Sequence, residues 1–140
     1  MVDIDRFLAS LLVRCPGATD SAIAESESAL GVKLPEDYIN ALKLTNGGEG
    51  FISKDAYLSL LAVEELAPRN QALEVQLCAP GLLIFGSNGG GEAFGFDTRS
   101  GNWPVVQVPF VGMEWDVAWP MGESFNEFLD VLQGRGAHPE

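Results

Sequence analysis

The apolar residues of this chain change their period twice along its length, and that double switch limits the possible folds more than any other feature. Near the start, Ile4, Phe7, Leu8, Leu11 and Leu12 stand at i, i+3, i+4, i+7 and i+8. This is the stripe of an amphipathic helix over 3–14, ended by Cys15-Pro16-Gly17. A second helix opens at Thr19 or Asp20, either of which can cap it. It passes through Ile23 and Leu30 and stops at Gly31, well placed for the left-handed position beyond a helix end. In LPEDYINALKLTNGG, Pro35 suits a first helical turn, and Glu36 and Asp37 meet the positive end of the dipole. Leu34 can pack back on Tyr38 or Ile39, Ile39 and Leu42 continue the buried stripe, and Asn46-Gly47-Gly48 closes the element.

The middle of the chain reads at strand period. AYLSLLA (56–62) alternates in part, GLLIFGS (81–87) is a short continuous apolar run, and PVVQVPF (104–110) alternates between two prolines that limit its pairing. EAFGFD (92–97) puts Phe94 and Phe96 on one face, with Gly95 leaving room on the other. VEELAPRNQALEV (63–75), interrupted by Pro68, reads as a loop or a short helical passage. Helical spacing then returns in Phe125, Phe128, Leu129 and Leu132, behind a capping box of Ser124 and Glu127. Gly134 and Gly136 close this helix and leave AHPE as a tail. Helices at both ends of a run of adjacent strands predict a single α+β domain over 1–140. Its antiparallel sheet is flanked by N-terminal helices and a C-terminal helix, and 140 residues suffice to bury a core.

SNGGGEAFGFD, Ser87 to Asp97, poses the sharpest chemical question. A phosphate loop of the Walker kind needs G-x-x-x-x-G-K-[ST]. Gly86 and Gly91 have that spacing, but Glu92 and Ala93 stand where Lys and Ser/Thr belong, and Glu92 would repel a phosphate. The dinucleotide fingerprint also fails, because a strand and not a helix follows. Asn88-Gly89 between two apolar runs predicts a β-hairpin, and DTRSGN (97–102) forms the next turn.

Charge excludes further classes. Twenty acids oppose eight bases, a formal net of −12, and between Arg99 and Arg135 no base occurs while Glu114, Asp116, Glu123, Glu127 and Asp130 do. Phosphate binding runs on Lys and Arg, so direct nucleic-acid binding is not expected. Either the charge serves solubility, or it speeds encounter with a basic protein partner. No apolar run approaches the roughly 18 residues a membrane helix needs. The N-terminus lacks a basic leader, which with two cysteines (Cys15 and Cys78, expected as buried free thiols) gives a cytoplasmic reading. The single histidine, His138, lies in the tail, so a catalytic Ser–His or Cys–His arrangement has no support, nor does a Cys/His metal site. Neither cofactor nor metal is expected. Glu92 with Asp97, and Glu114 with Asp116, are the carboxylate pairs one would try for acid–base work, but any acidic surface strand offers such spacing. No enzymatic activity is expected. Trp103, Trp115 and Trp119 lie within seventeen residues, interleaved with Glu114 and Asp116. They serve either core and sheet-edge packing or a partner surface of aromatic anchors with a charged rim.

Three segments in order, IAESESALGVKLPEDYINALKLTNGGEG, LLIFGSNGGGEAFGFDTRSGNWPVVQVPF and GESFNEFLDVL, resemble the SUKH superfamily over about residues 20–133, in particular the branch related to the yeast cell-wall synthesis regulator. The resemblance rests on Leu30-Gly31, Leu34-Pro35, Tyr38, Asn46-Gly47-Gly48, the Gly89–Asp97 strand, Ser124-Phe125 and Phe128-Leu129. It implies an α+β domain without known enzymatic chemistry. Many bacterial members resemble immunity proteins that neutralise a polymorphic toxin, often a nuclease or deaminase, by direct binding. Glu92 and Asp97 match polar positions of the family's glycine–strand motif. The expected partner is thus a basic toxin domain, met through Glu92, Asp97, Trp103, Glu114, Trp115, Asp116 and Trp119. Two other readings remain: an intracellular scaffold or regulator with several partners, and a small-ligand binder using the carboxylates beside the glycine loop.

Overall fold

The computed structural model describes Phe7 and residues 11–134. Within them seven strands lie side by side in chain order, each antiparallel to the next. They are β1 (Leu11–Val13), β2 (Gly48–Ser53), β3 (Ala56–Leu60), β4 (Leu82–Ser87), β5 (Glu92–Asp97), β6 (Val105–Pro109) and β7 (Trp119–Gly122). Around this meander stand α1 (Asp20–Leu30), α2 (Glu36–Leu44), α3 (Leu66–Ala72), α4 (Val75–Cys78) and α5 (Phe125–Gly134), with 3₁₀ turns at Val63–Glu65 and Trp115–Val117. The α+β class and the antiparallel sheet predicted from periodicity are what the chain adopts.

Local chemistry accounts for most boundaries. The Thr19 hydroxyl accepts from the Ala22 N–H at 3.0 Å to start α1. Gly31 ends it at φ 73°, in the left-handed region that costs glycine nothing. Pro35 is the cap of α2 and lies just outside its first turn. The Ser124 hydroxyl accepts from Glu127 N–H to open α5, and the Asp37 carboxylate, from the start of α2, accepts from Asn126 N–H at 2.9 Å. One acid therefore ties two helix starts together. Asn46, which closes α2, accepts from Val63 N–H and donates to Glu64, and so also opens the 3₁₀ turn before α3.

Both faces of the sheet are covered at its centre. Leu83 and Phe85 of β4 look into a larger core with Phe94, Phe96, Phe125 and Phe128, against α1, α2 and α5. Leu82 and Ile84 look the other way into a smaller one with Ala93, Val106, Val108 and Met113, closed by Val75 and Ala79. That is why β4 reads as a continuous apolar run. Tyr38 sits in the larger core with ring centroids of Phe85, Phe96 and Phe125 at 5.1–5.6 Å. At Gly95 a Cβ would stand 2.8 Å from the Leu83 carbonyl oxygen and 2.9 Å from a Leu82 methyl, so the space left by this glycine is needed by β4.

Several expectations are corrected. The helix read over 3–14 does not reach its end. Phe7 is helical, but Leu11–Val13 is strand β1, held by Leu11↔Gly50 and Val13↔Glu49. Leu12, placed by helical spacing on the buried stripe, is 81% exposed. Pairing with β2 outweighs local period there. The remaining positions of that helix, and the tail with His138, lie outside the described residues. Cys15 and Cys78 are free thiols but not buried ones: Cys15 is half-buried and Cys78 exposed. The short α4 turns Val75 inward and leaves Cys78 on its outer side. Of the two readings of residues 63–75, the short helical passage is the one adopted, with Pro68 inside the first turn of α3, where the missing N–H costs little.

Candidate functional site

The structure separates the three tryptophans by role. Trp103 is half-buried and packs on the larger core, its ring centroid 5.7 Å from that of Phe96; its backbone is held at φ 45°. Trp115 is half-buried against the smaller core and donates from Nε1 to the Pro80 carbonyl at 2.8 Å. Trp119, on the edge strand β7, is 48% exposed. Core packing is thus the role of the first, and solvent-facing aromatic surface remains to the last.

Asp97 and Trp115 are joined through a residue the sequence reading did not single out. The Arg99 guanidinium forms two parallel hydrogen bonds to Asp97, Nε to Oδ1 and Nη2 to Oδ2, each 3.0 Å. Its central carbon lies 3.7 Å from the Trp115 ring centroid. The hydrogen bond from Arg99 is the main cause holding the Asp97 carboxyl below its usual range. The clamp pins the segment that carries Glu114 and Asp116, both exposed. Glu92 stands on the opposite face of the sheet. It accepts from Gln107 Nε2 at 3.3 Å, and Gln107 pairs in register with Trp119. The seven expected positions therefore form two groups: Asp97, Glu114, Trp115 and Asp116 on one face, Glu92 and Trp119 on the other. Trp103 belongs to the core.

The hairpin reading of Ser87–Asp97 holds. β4 and β5 pair directly, and Asn88 N–H donates to Glu92 O at 3.0 Å. Four of the amide donors a phosphate cradle would offer, those of Asn88, Gly89, Gly90 and Glu92, are used within the loop. Gly89 N–H bonds Ser87 Oγ, while Gly90 and Glu92 N–H bond Asn88 Oδ1. Gly89 has φ 80° and lies against the Tyr57 ring, leaving no room for a side chain. Among the described residues no group of three or more His, Cys, Asp or Glu could hold a metal, and no helix is long and apolar enough to cross a membrane.

Two surface features escaped the sequence reading. Leu12, Val13 and Phe51 are exposed at the β1–β2 end of the sheet, where Phe51 meets Tyr57 edge-on and Tyr57 donates to Glu49. A groove of about 630 Å³ lies between α1, α3, α4 and β4. Its origin is a gap in the sheet. β3 pairs with β4 only at Ser59↔Ser87 and Leu60↔Gly86, so Leu82 and Ile84, paired with β5 on one side, have no strand on the β3 side. Side-chain amides take the strand's place. Asn70 bonds both the N–H and the C=O of Ile84 at 2.8 Å, and Gln76 bonds Leu82 O and Gly81 N–H. An amide at 70 or 76 carries no periodic signal, so only the broken β3–β4 register reveals their task.

The model of the SMI1 / KNR4 family (SUKH-1) matches residues 17–131. The chain belongs to this family. The SUKH-1 match runs from the turn before α1 into α5 and so takes in the smaller core, most of the larger one and the Asp97–Arg99–Trp115 clamp. No match was found among curated proteins. For a SUKH-1 domain the role supported at family level is protein binding of the immunity or regulator kind.

Proposed function

We propose that this SUKH-1 protein is a non-enzymatic immunity protein of the cytoplasm. It binds a basic toxin domain of nuclease or deaminase type and blocks it by occlusion. One observation carries the reading. Along residues 100–134 no cation occurs, the five acids Glu114, Asp116, Glu123, Glu127 and Asp130 are all exposed, and Trp119 is exposed on the face of the sheet opposite Glu114 and Asp116. Enzymes acting on nucleic acid present Lys and Arg to phosphate. A fixed anionic surface with an aromatic anchor competes for that same charge, speeds encounter, and supplies contact area once docked.

The test is co-expression with the C-terminal domain of a long secreted protein encoded beside this chain. Rescue of growth and a stable complex in pull-down are expected, with association slowing steeply as salt rises. Absence of both protection and complex overturns the reading. The charge argument falls separately if changing Glu114, Asp116 and Glu123 to Gln leaves the association rate unchanged. A scaffold or regulator with several partners draws support from the exposed Leu12, Val13 and Phe51, at the sheet edge opposite β7. Affinity capture returning a single nuclease-like protein would count against it.

A further inference from the structure

The groove beside β4 has an apolar floor of Leu30, Val32, Ala67, Val75 and Leu82, and Leu77 stands at its rim, 81% exposed. Its volume falls within the roughly 300–1,000 Å³ of sites that take small molecules or peptide anchors. Yet its polar groups do not converge on a ligand. The Asn70 and Gln76 amides are engaged with the edge of β4, and the Thr98 hydroxyl donates to Gly81 O. These bonds also close the edge to an added strand. Among the lining residues the one charge is Glu74.

A second source of negative potential opens on the same space. Ala29 and Leu30 bring the C-terminal end of α1 to the wall, and the last turn of α1 contains no basic residue. Neighbouring cations point to other tasks: Lys33 pairs with Glu27 at 3.9 Å, Arg99 is clamped on Asp97, and Arg69 lines a different cavity. The floor thus suits an aliphatic group and the rim suits a cation.

We infer that this groove seats a short segment of a protein partner, with an aliphatic anchor on the floor and a Lys or Arg head against Glu74. The inference rests on the protein-binding reading above. The groove adjoins the Trp115 clamp through Thr98 and Gly81, so a partner lying across Trp115 and Asp116 reaches it without leaving the surface. Glu74 itself is at φ 54°, which turns α3 into α4 at the groove's rim.

The groove can be tested without the partner. Hexylguanidinium and its uncharged counterpart hexylurea are titrated into the isotope-labelled full chain and followed by methyl and amide NMR. Saturable shifts centred on Ala29, Ala67, Val75 and Leu77 are expected, with the cation binding at least threefold tighter than the urea. Glu74→Gln should bring the two probes to equal affinity, and Leu77→Ala should weaken both alike. Equal affinities in the wild type, shifts confined to residues 114–130, or no saturable binding would each overturn the inference. If the probes fail while toxin protection holds, the groove is wrong and the immunity reading stands; the reverse outcome removes the toxin and leaves the groove.

Discussion

Replacing Asn70 by Ala removes three hydrogen bonds from a buried place. The side chain donates from Nδ2 to Leu66 O and Ile84 O and accepts from Ile84 N–H, each at 2.8 Å, and the residue is 8% exposed. A carboxamide carries the same donor and acceptor as a peptide unit, which is why it can stand in for the absent strand. Each such bond contributes about 1 kcal/mol net, and an Ile84 N–H left buried without a partner adds about 1–3 kcal/mol. Asn70→Ala should therefore cost about 4–6 kcal/mol, a large part of the roughly 5–15 kcal/mol that holds a domain together. Urea unfolding followed by tryptophan fluorescence reads this as a lower midpoint, and calorimetry as a melting temperature lower by roughly 8–24 °C. Asn70→Asp keeps the shape but turns an acceptor towards two carbonyls, so its damage should grow as pH rises through the new carboxyl's titration. Gln76 is exposed, and water can replace its amide, so Gln76→Ala should cost no more than about 1 kcal/mol. A loss below about 1 kcal/mol for Asn70→Ala would mean that Ile84 finds another partner, and the stand-in argument would fail.

Three further outcomes follow from the same coordinates. The Tyr38 hydroxyl is buried without a hydrogen-bond partner among the described residues, and burial pushes the phenol well above its usual range. Tyr38→Phe should leave the domain as stable or more stable by about 1 kcal/mol in urea titration, and a clear loss would reveal a hidden partner. Asp37→Ala frees the Asn126 N–H at the start of α5 and should cost about 1 kcal/mol; an unchanged midpoint would show that the link between helix starts carries no energy. Asp97 has its pKa depressed from 3.8 by Arg99, so the pair stabilises the fold above that value and the contribution fades as pH falls through the lower folded one. The stability gap between wild type and Asp97→Asn should close on going from about pH 6 to below about pH 3, and a gap constant across that range refutes the ion pair.

What could be read from the chain alone divides by the range of the forces involved. Thr19, Gly31, Ser124 and the Asn88-Gly89 turn act on neighbours a few residues away, and each does in the structure what its type suggests. β1, β2 and β7 escaped notice because their signal is not local. Four of the six residues of GEGFIS are glycine or polar, yet it sits between β1 and β3, where pairing on both sides supplies what propensity lacks. Leu11–Val13 reads as helix by period and becomes an edge strand because Gly50 and Glu49 offer a ladder.

The candidate surface was legible in part for a similar reason. Charge is additive along a chain, so the cation-free tract from 100 to 134 is visible without coordinates. Direction is not additive. Trp103, Trp115 and Trp119 look alike in sequence, but a core contact, a stacked guanidinium and an open sheet edge give them three environments. Arg99 illustrates the difference most sharply. Beside so many acids it reads as a stray cation. In the fold it neutralises Asp97, stacks on Trp115, and so holds Glu114 and Asp116 on an ordered segment. A basic partner thus meets acids at positions set by a base, and the free energy of ordering that segment is already spent before it arrives.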